Sequence, residues 1–283
     1  PYFKPDIQSL GRRNWIRKGL EALCQEASKA ITNDSTILVL SDKNMDANHA
    51  PIPSLLGTSA VHHHLLRELT RTKVGLVVET GEAREMMHFA LLIGYGATAV
   101  YPYTAYETIA QIIKEDIYVS GIDYETSIKN FIDATKKGLF KIIAKMGIST
   151  LRSYRGAQIF EAVGLNETII DRYFTGTPSR VSGLGLKEIA CETLTRHRKA
   201  FTKINGDSVS LELGGNYHWR RGEEKHMIEP QTIALLQHAV RSGDYGLYKR
   251  FSEISDKVNT RQCTLRGLMR IKKGIPIPLD EVE

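Results

Sequence analysis

Polar side chains that could do chemistry gather just after three short apolar runs. Ser41, Asp42 and Asn44 follow "TILVL", Glu79 and Thr80 close "VGLVVET", and Tyr101 and Tyr103 lie at the end of "ATAVYPY". Ligands and catalytic groups in parallel α/β folds collect at the carboxyl ends of the strands. If these runs are parallel strands, the polar residues share one end of one sheet. They could form an active site or a small-molecule site. The same residue types also cap helices and close loops, which accounts for them without any ligand.

Other motifs are weaker. His62, His63 and His64 are consecutive. On a helix, neighbours point about 100° apart, so at most one or two imidazoles could meet one ion. The HExxH spacing that sets two on one face is absent. "SGLGLKE" at 182–188 has glycines before an expected helix, but Lys187 stands where a phosphate cradle wants its third glycine. A helix-entry loop fits it better. No G-x-S-x-G elbow occurs. His88, in "AREMMHFALL", reads as a partly buried helix residue. The stretch Met146–Leu165, "MGISTLRSYRGAQIFEAVGL", holds no histidine, no cysteine and a single carboxylate, Glu161. Its Arg152, Ser153, Tyr154 and Arg155 are suited to bonding backbone groups and carboxylates from another segment. They fit a rigid interface, a channel wall or an anion site.

The elements that must position these groups follow from periodicity. Residues 12–33 place Ile16, Leu20, Leu23, Ala27, Ala30 and Ile31 on one helical face. "TILVLSD" (36–42) is continuously apolar, as a strand buried on both faces would be. A Pro-containing connector, a helix, the strand 74–80, a helix ended by Gly94 and Gly96, the strand 97–103 and a further helix complete a β-α-β-α-β-α ladder. Such alternation predicts a parallel sheet with right-handed crossovers. Residues 127–146 form a long amphipathic helix with Phe131, Leu139 and Ile143 facing in. A short extended "IST" then leads into a helix through "GAQIFEAVG". Helices are expected at 166–173, 185–203, 230–242 and 244–257. "TGTPSR" does not read as a strand, and "SVSLELGGNYHWRRG" suggests a hairpin or loop. The fold class expected is α/β, with a parallel β-α-β core, an incomplete or irregular (β/α) barrel, and a mostly helical C-terminal half. The parts are an N-terminal segment and helix (1–35), an α/β core (36–205), a helical part (206–270) and a linker (271–283).

Composition excludes several classes. The chain has 283 residues, 42% hydrophobic and 25% charged, which suits a globular protein with a real core. No apolar run approaches the roughly 18–20 residues that cross a bilayer, and the N-terminus is not a signal peptide. The net charge of +6 arises from 38 Lys and Arg against 32 Asp and Glu, interspersed. That is no stripe of phosphate contacts, so nucleic acid is not an expected partner. Cys24, Cys191 and Cys263 are far apart with no CxxC spacing. This argues against a disulfide framework, a structural zinc or an iron–sulfur cluster, and for reduced thiols in a reducing compartment.

Five blocks carry a family resemblance: "LVLSDKN", "VVETGEAREMMHFALLIGYGATAVYPYTAYETI", "KGLFKIIAKMGISTLRSYRGAQIFEAVGL", "DRYFTGTPSRVSGLG" and "HAVRSGDYGLYKRFSE". In this order, over most of residues 37–255, they resemble the central domain of the glutamate synthase large subunit. The resemblance implies a place between an N-terminal glutamine amidotransferase and an FMN-binding (β/α) barrel that reduces 2-iminoglutarate to glutamate. The parent would use FMN and an iron–sulfur cluster, in a soluble cytoplasmic or plastid enzyme. It would supply this chain's partners as domains of the same polypeptide.

None of the family's catalytic or cofactor residues falls in this chain, so no cofactor is expected here. The central domain is expected to hold two active sites in register and to wall the ammonia route. Asp42, Asn44, Glu79, Thr80, Tyr101, Tyr103, Arg152, Tyr154 and Arg155 are the interdomain or channel candidates. The competing expectation is an independent enzyme or small-molecule-binding domain using Asp42, Glu79 and Tyr101, with a closed pocket and a titratable group of perturbed pKa.

Overall fold

A computed structural model describes residues 15–116, 121–201, 219–221, 226–261, 264–269, 274–275 and 277–282. The chain divides into two compact units, Pro1–Lys203 and Ile204–Glu283.

In the first unit α1 (Trp15–Thr32) precedes β1 (Ile37–Ser41). Next come α2 (Ser54–Arg67), β2 (Gly75–Glu79), α3 (Met86–Gly94), β3 (Ala99–Tyr101) and α4 (Tyr103–Lys114). The expected ladder is therefore present. Its strands pair in parallel in the order β1-β2-β3, with Val39, Val77 and Ala99 in one row and Ser41, Glu79 and Tyr101 in the next. Alternation along each strand sends Leu38, Leu76 and Val78 toward the helices. There Ala27 of α1 and Val61 and Leu65 of α2 pack around Leu38 and Leu76, while Phe89 and Leu92 of α3 pack around Val78. Each such side chain contributes roughly 1.5–3 kcal/mol by leaving water. The N-terminal helix belongs to this core: Trp15, Ile16 and Leu20 are buried with Leu56, Ile169 and Leu194.

Among the described residues the other face of the sheet is only partly covered, and here the structure corrects the expectation for β1. Ile37 is 63% and Val39 41% exposed, so this apolar strand is covered on one side only. An apolar run marks a strand with no polar face; what covers each face depends on layers that the run cannot specify. The barrel expectation is also corrected. Among the described residues the sheets are three-stranded and two-stranded, and neither closes. Too few strands follow one another to curl the sheet back on itself.

The long helix α5 (Tyr124–Lys145) starts at Asp123, whose carboxylate accepts from Thr126 N–H at 2.9 Å. It packs Leu139 and Ile143 against Ala90 and Tyr154. No strand precedes the next element, α6 (Leu151–Tyr154), which Thr150 caps. The helix expected through "GAQIFEAVG" is instead an irregular segment followed by β4 (Ala162–Leu165). Gly156, Gln158 and Gly164 all take positive φ there, which interrupts helical backbone geometry. After α7 (Glu167–Tyr173), β5 (Ser179–Leu184) pairs in parallel with β4, where no strand was expected. The two backbones approach closely at glycines: a Cβ on Gly183 would lie 2.4 Å from the Gly164 carbonyl oxygen. Then α8 (Leu186–Phe201) completes the described part of the unit.

The second unit holds α9 (Pro230–Ser242) and α10 (Tyr245–Arg261), joined at Gly243 with φ +68°, and a short α11 (Leu265–Leu268). The hairpin or loop expected at 208–222 lies outside the described residues except for 219–221. Residues 279–281 of the expected linker form one 3-10 turn.

Candidate functional site

The strand-end residues do meet, but as two groups on opposite sides of the sheet. Ser41 and Glu79 are register partners whose side chains point to the less covered face, and the Ser41 hydroxyl donates to Glu79 Oε2 at 2.5 Å. Tyr101, 44% exposed, extends that row and packs edge-on against Tyr106. One residue further along, Asp42 and Thr80 turn to the covered side. Thr80 Oγ1 donates to Asp42 Oδ2 at 2.5 Å, and Gly81 N–H donates to Asp42 Oδ1 at 3.0 Å. The buried Tyr103 hydroxyl also bonds the Asp42 carboxylate. Burial pushes the Asp42 pKa up, opposed by the bonds from Thr80, Tyr103 and Gly81. Burial, followed by the Asp42 charge, raises that of Tyr103.

Asp42 thus locks the loop between β2 and α3, a structural task. The loop is tight at Gly81, where a Cβ would sit 2.7 Å from Thr104 Oγ1 and 3.1 Å from Tyr103 Oη, so a larger residue would make these hydroxyls shift. The next residue, Glu82, accepts from the Ser54 N–H and hydroxyl at 2.7 and 2.6 Å and so caps α2. Asn44 is exposed in the turn after β1 and takes no part in either group.

In the Arg/Tyr/Ser turn, Tyr154 is fully buried and its hydroxyl donates to Ala90 O at 3.0 Å. Gly156 N–H reaches Gly94 O at 2.9 Å, fixing the turn against the end of α3. Arg152 and Arg155 stay exposed, without an ion-pair partner among the described residues. Glu161, the stretch's one carboxylate, receives two bonds from Arg180 of β5, at 2.8 and 3.2 Å.

The remaining motifs resolve into structural tasks. The three histidines of α2 diverge: His62 bonds Arg71, His63 bonds Ser59 O, and His64 bonds Ser28. His88 Nδ1 accepts from the backbone N–H groups of Arg84 and Glu85 and helps cap α3. In "SGLGLKE" the Gly185 N–H is already taken by the Glu188 carboxylate at 2.9 Å, so the loop does not fit a phosphate. Burial pushes the Cys24 thiol up to about 11, the wrong direction for a thiolate ligand. Cys191 is exposed on α8, and Cys263 lies outside the described residues. The two described cysteines, on α1 and α8, are too few to hold an iron–sulfur cluster by themselves. Among the described residues, no group of three His, Cys, Asp or Glu side chains could hold a metal ion, and no helix is long and apolar enough to cross a membrane.

Sequence comparison gives this architecture a family. Residues 2–166 match the model of the glutamate synthase central domain. The chain belongs to the glutamate synthase central domain family. It is 45% identical to the glutamate synthase [NADPH] large chain of Bacillus subtilis over 95% of its own length and 17% of that protein. Identity is 39% to the glutamate synthase [NADH] of Schizosaccharomyces pombe, over 93% of this chain and 13% of that one. It is 36% to the ferredoxin-dependent glutamate synthase of Pyropia yezoensis, over 96% and 18%. The chain therefore corresponds to a domain-sized part of much longer glutamate synthases.

Within this central domain, Gly81, Glu82 and Ser54 escape a motif search because each acts on a partner many residues away. The adjacency of Thr80, Gly81 and Glu82 is the one local trace of their loop.

Proposed function

We propose that this central domain connects a glutamine amidotransferase domain to an FMN-dependent synthase domain in one polypeptide and helps shape the ammonia route between them. The parent enzyme would make two glutamates from glutamine and 2-oxoglutarate. Its FMN and iron–sulfur cluster would sit outside this chain. The observation that carries the reading is the less covered sheet face, where Ile37, Val39 and Ala99 form an exposed apolar patch bordered by the Ser41–Glu79 pair and Tyr101. A contiguous apolar patch of this kind marks an interaction surface. Because the chain spans 13–18% of its relatives' length, a flanking domain of the same polypeptide is the occupant proposed.

Shaping an ammonia route needs rigid, water-excluding packing more than reactive groups. The locked strand ends supply rigidity at the edge of the less covered face. The test is Val39→Asp in the full-length enzyme, measuring glutamine hydrolysed against glutamate formed. Hydrolysis in excess of synthesis is expected. The same substitution in the 283-residue chain is expected to change stability by less than about 1 kcal/mol, the span of β-propensity. Unchanged coupling and activity would overturn the reading.

A further inference from the structure

Charges of both signs are interspersed along the chain, but outside one stretch they cancel in sum. Residues 134–160 hold six cations, Lys136, Lys137, Lys141, Lys145, Arg152 and Arg155, and no carboxylate. Removing these six from the chain's 38 Lys and Arg leaves 32, equal to its 32 Asp and Glu. The net charge of +6 thus matches what the second half of α5, α6 and the turns beside them contribute. Like charges four residues apart weaken a helix, and the helix dipole offsets this only in the last turn, at Lys145. A solvated face gains nothing from such an arrangement; a face that meets opposite charge does.

Lys137, Lys141 and Lys145 stand one above another on α5, over about 12 Å of its axis. They lie opposite Leu139 and Ile143, which pack with Ala90 and Tyr154 in the core. All three lysines are exposed, and among the described residues none has an ion-pair partner. Of the six cations Lys136 alone has one there, Asp133 at 3.9 Å. Arg152 and Arg155 add exposed charge on α6 and its C-terminal cap, and the packing of Tyr154 holds that turn against α5. Phe140, 61% exposed, adjoins Lys137 and Ala144 at the edge of the lysine face.

We propose that this face of α5 docks an acidic segment of a flanking domain of the same polypeptide, with Lys137, Lys141 and Lys145 against its carboxylates and Phe140 against an apolar side chain beside them. Such docking rests on the reading above, that the chain is one domain of a longer polypeptide, but uses α5 in place of the sheet. The chain spans 13–18% of its relatives' length, so flanking domains are the protein surface nearest to it. Three unpaired lysines in a row call for carboxylates there, and a partly apolar, partly charged contact is ordinary at such boundaries. A lipid surface fits less well: an interfacial helix buries its apolar face in the membrane, and that face of α5 is already packed in the core. A nucleic acid would draw on a longer stripe of phosphate contacts than three lysines supply.

The test is carbodiimide cross-linking of the full-length enzyme, which joins a lysine amine to a carboxylate it touches, read by peptide mass spectrometry. Lys137, Lys141 or Lys145 is expected to be joined to an Asp or Glu outside this 283-residue chain. Acetylation by a succinimidyl ester gives a second readout. The three lysines should react about tenfold more slowly in the full-length enzyme than in the 283-residue chain, because neighbouring carboxylates hold an amine in its unreactive protonated form. Lys137→Glu with Lys141→Glu should remove the cross-link and restore fast acetylation of Lys145, with the near-ultraviolet circular dichroism unchanged. Cross-links confined to this chain, or equal acetylation rates in its two forms, would overturn the proposal. So would lysines that stay reactive in the full-length enzyme until phosphatidylserine vesicles or duplex DNA are added. Coupling lost by Val39→Asp without any such cross-link would overturn this docking alone and leave the sheet-face reading standing.

Discussion

Thr80 donates its hydroxyl to Asp42 at 2.5 Å on the helix-covered side of the sheet, one residue beyond the Ser41–Glu79 bond on the less covered side. Two carboxylates at neighbouring strand ends are thereby separated by the sheet itself. The pairs differ in what they protect: Thr80 is 1% exposed, whereas Ser41 and Glu79 border solvent.

Asp42→Ala is therefore expected to destabilise the chain by about 2–3 kcal/mol, because the Thr80 hydroxyl and Gly81 N–H lose their acceptor in a buried setting. Glu79→Ala is expected to cost less than about 1 kcal/mol, its group being half-open to water. Urea unfolding of the two variants checks the ordering. Equal losses would contradict the two-sided arrangement.

Tyr154→Phe removes the bond to Ala90 O but keeps the ring, and is expected to cost about 1 kcal/mol. Tyr154→Ala empties the pocket among Ala90, Leu139 and Ile143 and is expected to cost about 3–5 kcal/mol. The difference between their unfolding midpoints measures the ring's packing separately from its hydroxyl.

The parallel β4–β5 pair rests on glycine. Gly183→Ala puts a methyl group against the Gly164 carbonyl, and a destabilisation of about 1–3 kcal/mol is expected from that overpacking. Hydrogen exchange should quicken at the Ala162 N–H, which donates to Pro178 O, and at the Asn166 N–H, which donates to Leu184 O. Unchanged protection at both amides would count against the pairing.

Acid should weaken the fold through α2. Burial, then Arg71, His63 and Arg155, lowers the His62 pKa from 6.5 to about 3, and burial also lowers those of His63 and His64. The unfolded chain therefore binds protons that the folded chain resists. The stability is present above pH 6.5 and is lost as pH falls from there toward 3. For His62 alone the loss between pH 7 and pH 5 is about 2 kcal/mol. Urea midpoints of wild type and His62→Gln at both pH values check it. The variant should lose less on acidification, and an identical pH dependence would remove His62 from the account.

Much of the fold was legible because it is encoded locally. The 3.6-residue spacing of Ile16, Leu20, Leu23 and Ala27 specifies α1, and three apolar runs separated by helical segments specify the parallel ladder. The family resemblance was equally readable, since its blocks are contiguous. The residues 156–164 carry apolar spacing that fits a helical period, while the positive φ values of Gly156, Gln158 and Gly164 give the chain a different path.

By itself, then, the sequence determined the elements from α1 to α5 and the polar residues at the strand ends, because residues two to four apart set those patterns. Tertiary structure alone decided which strand face is covered, and so that Asp42 became a loop lock while Glu79, bonded to Ser41, lies on the less covered face. It alone set β4 against β5. It also brought His62 close against Gly96 and Gln158 close against Gly176. Those outcomes depend on contacts between segments far apart in the chain, and no local period carries them.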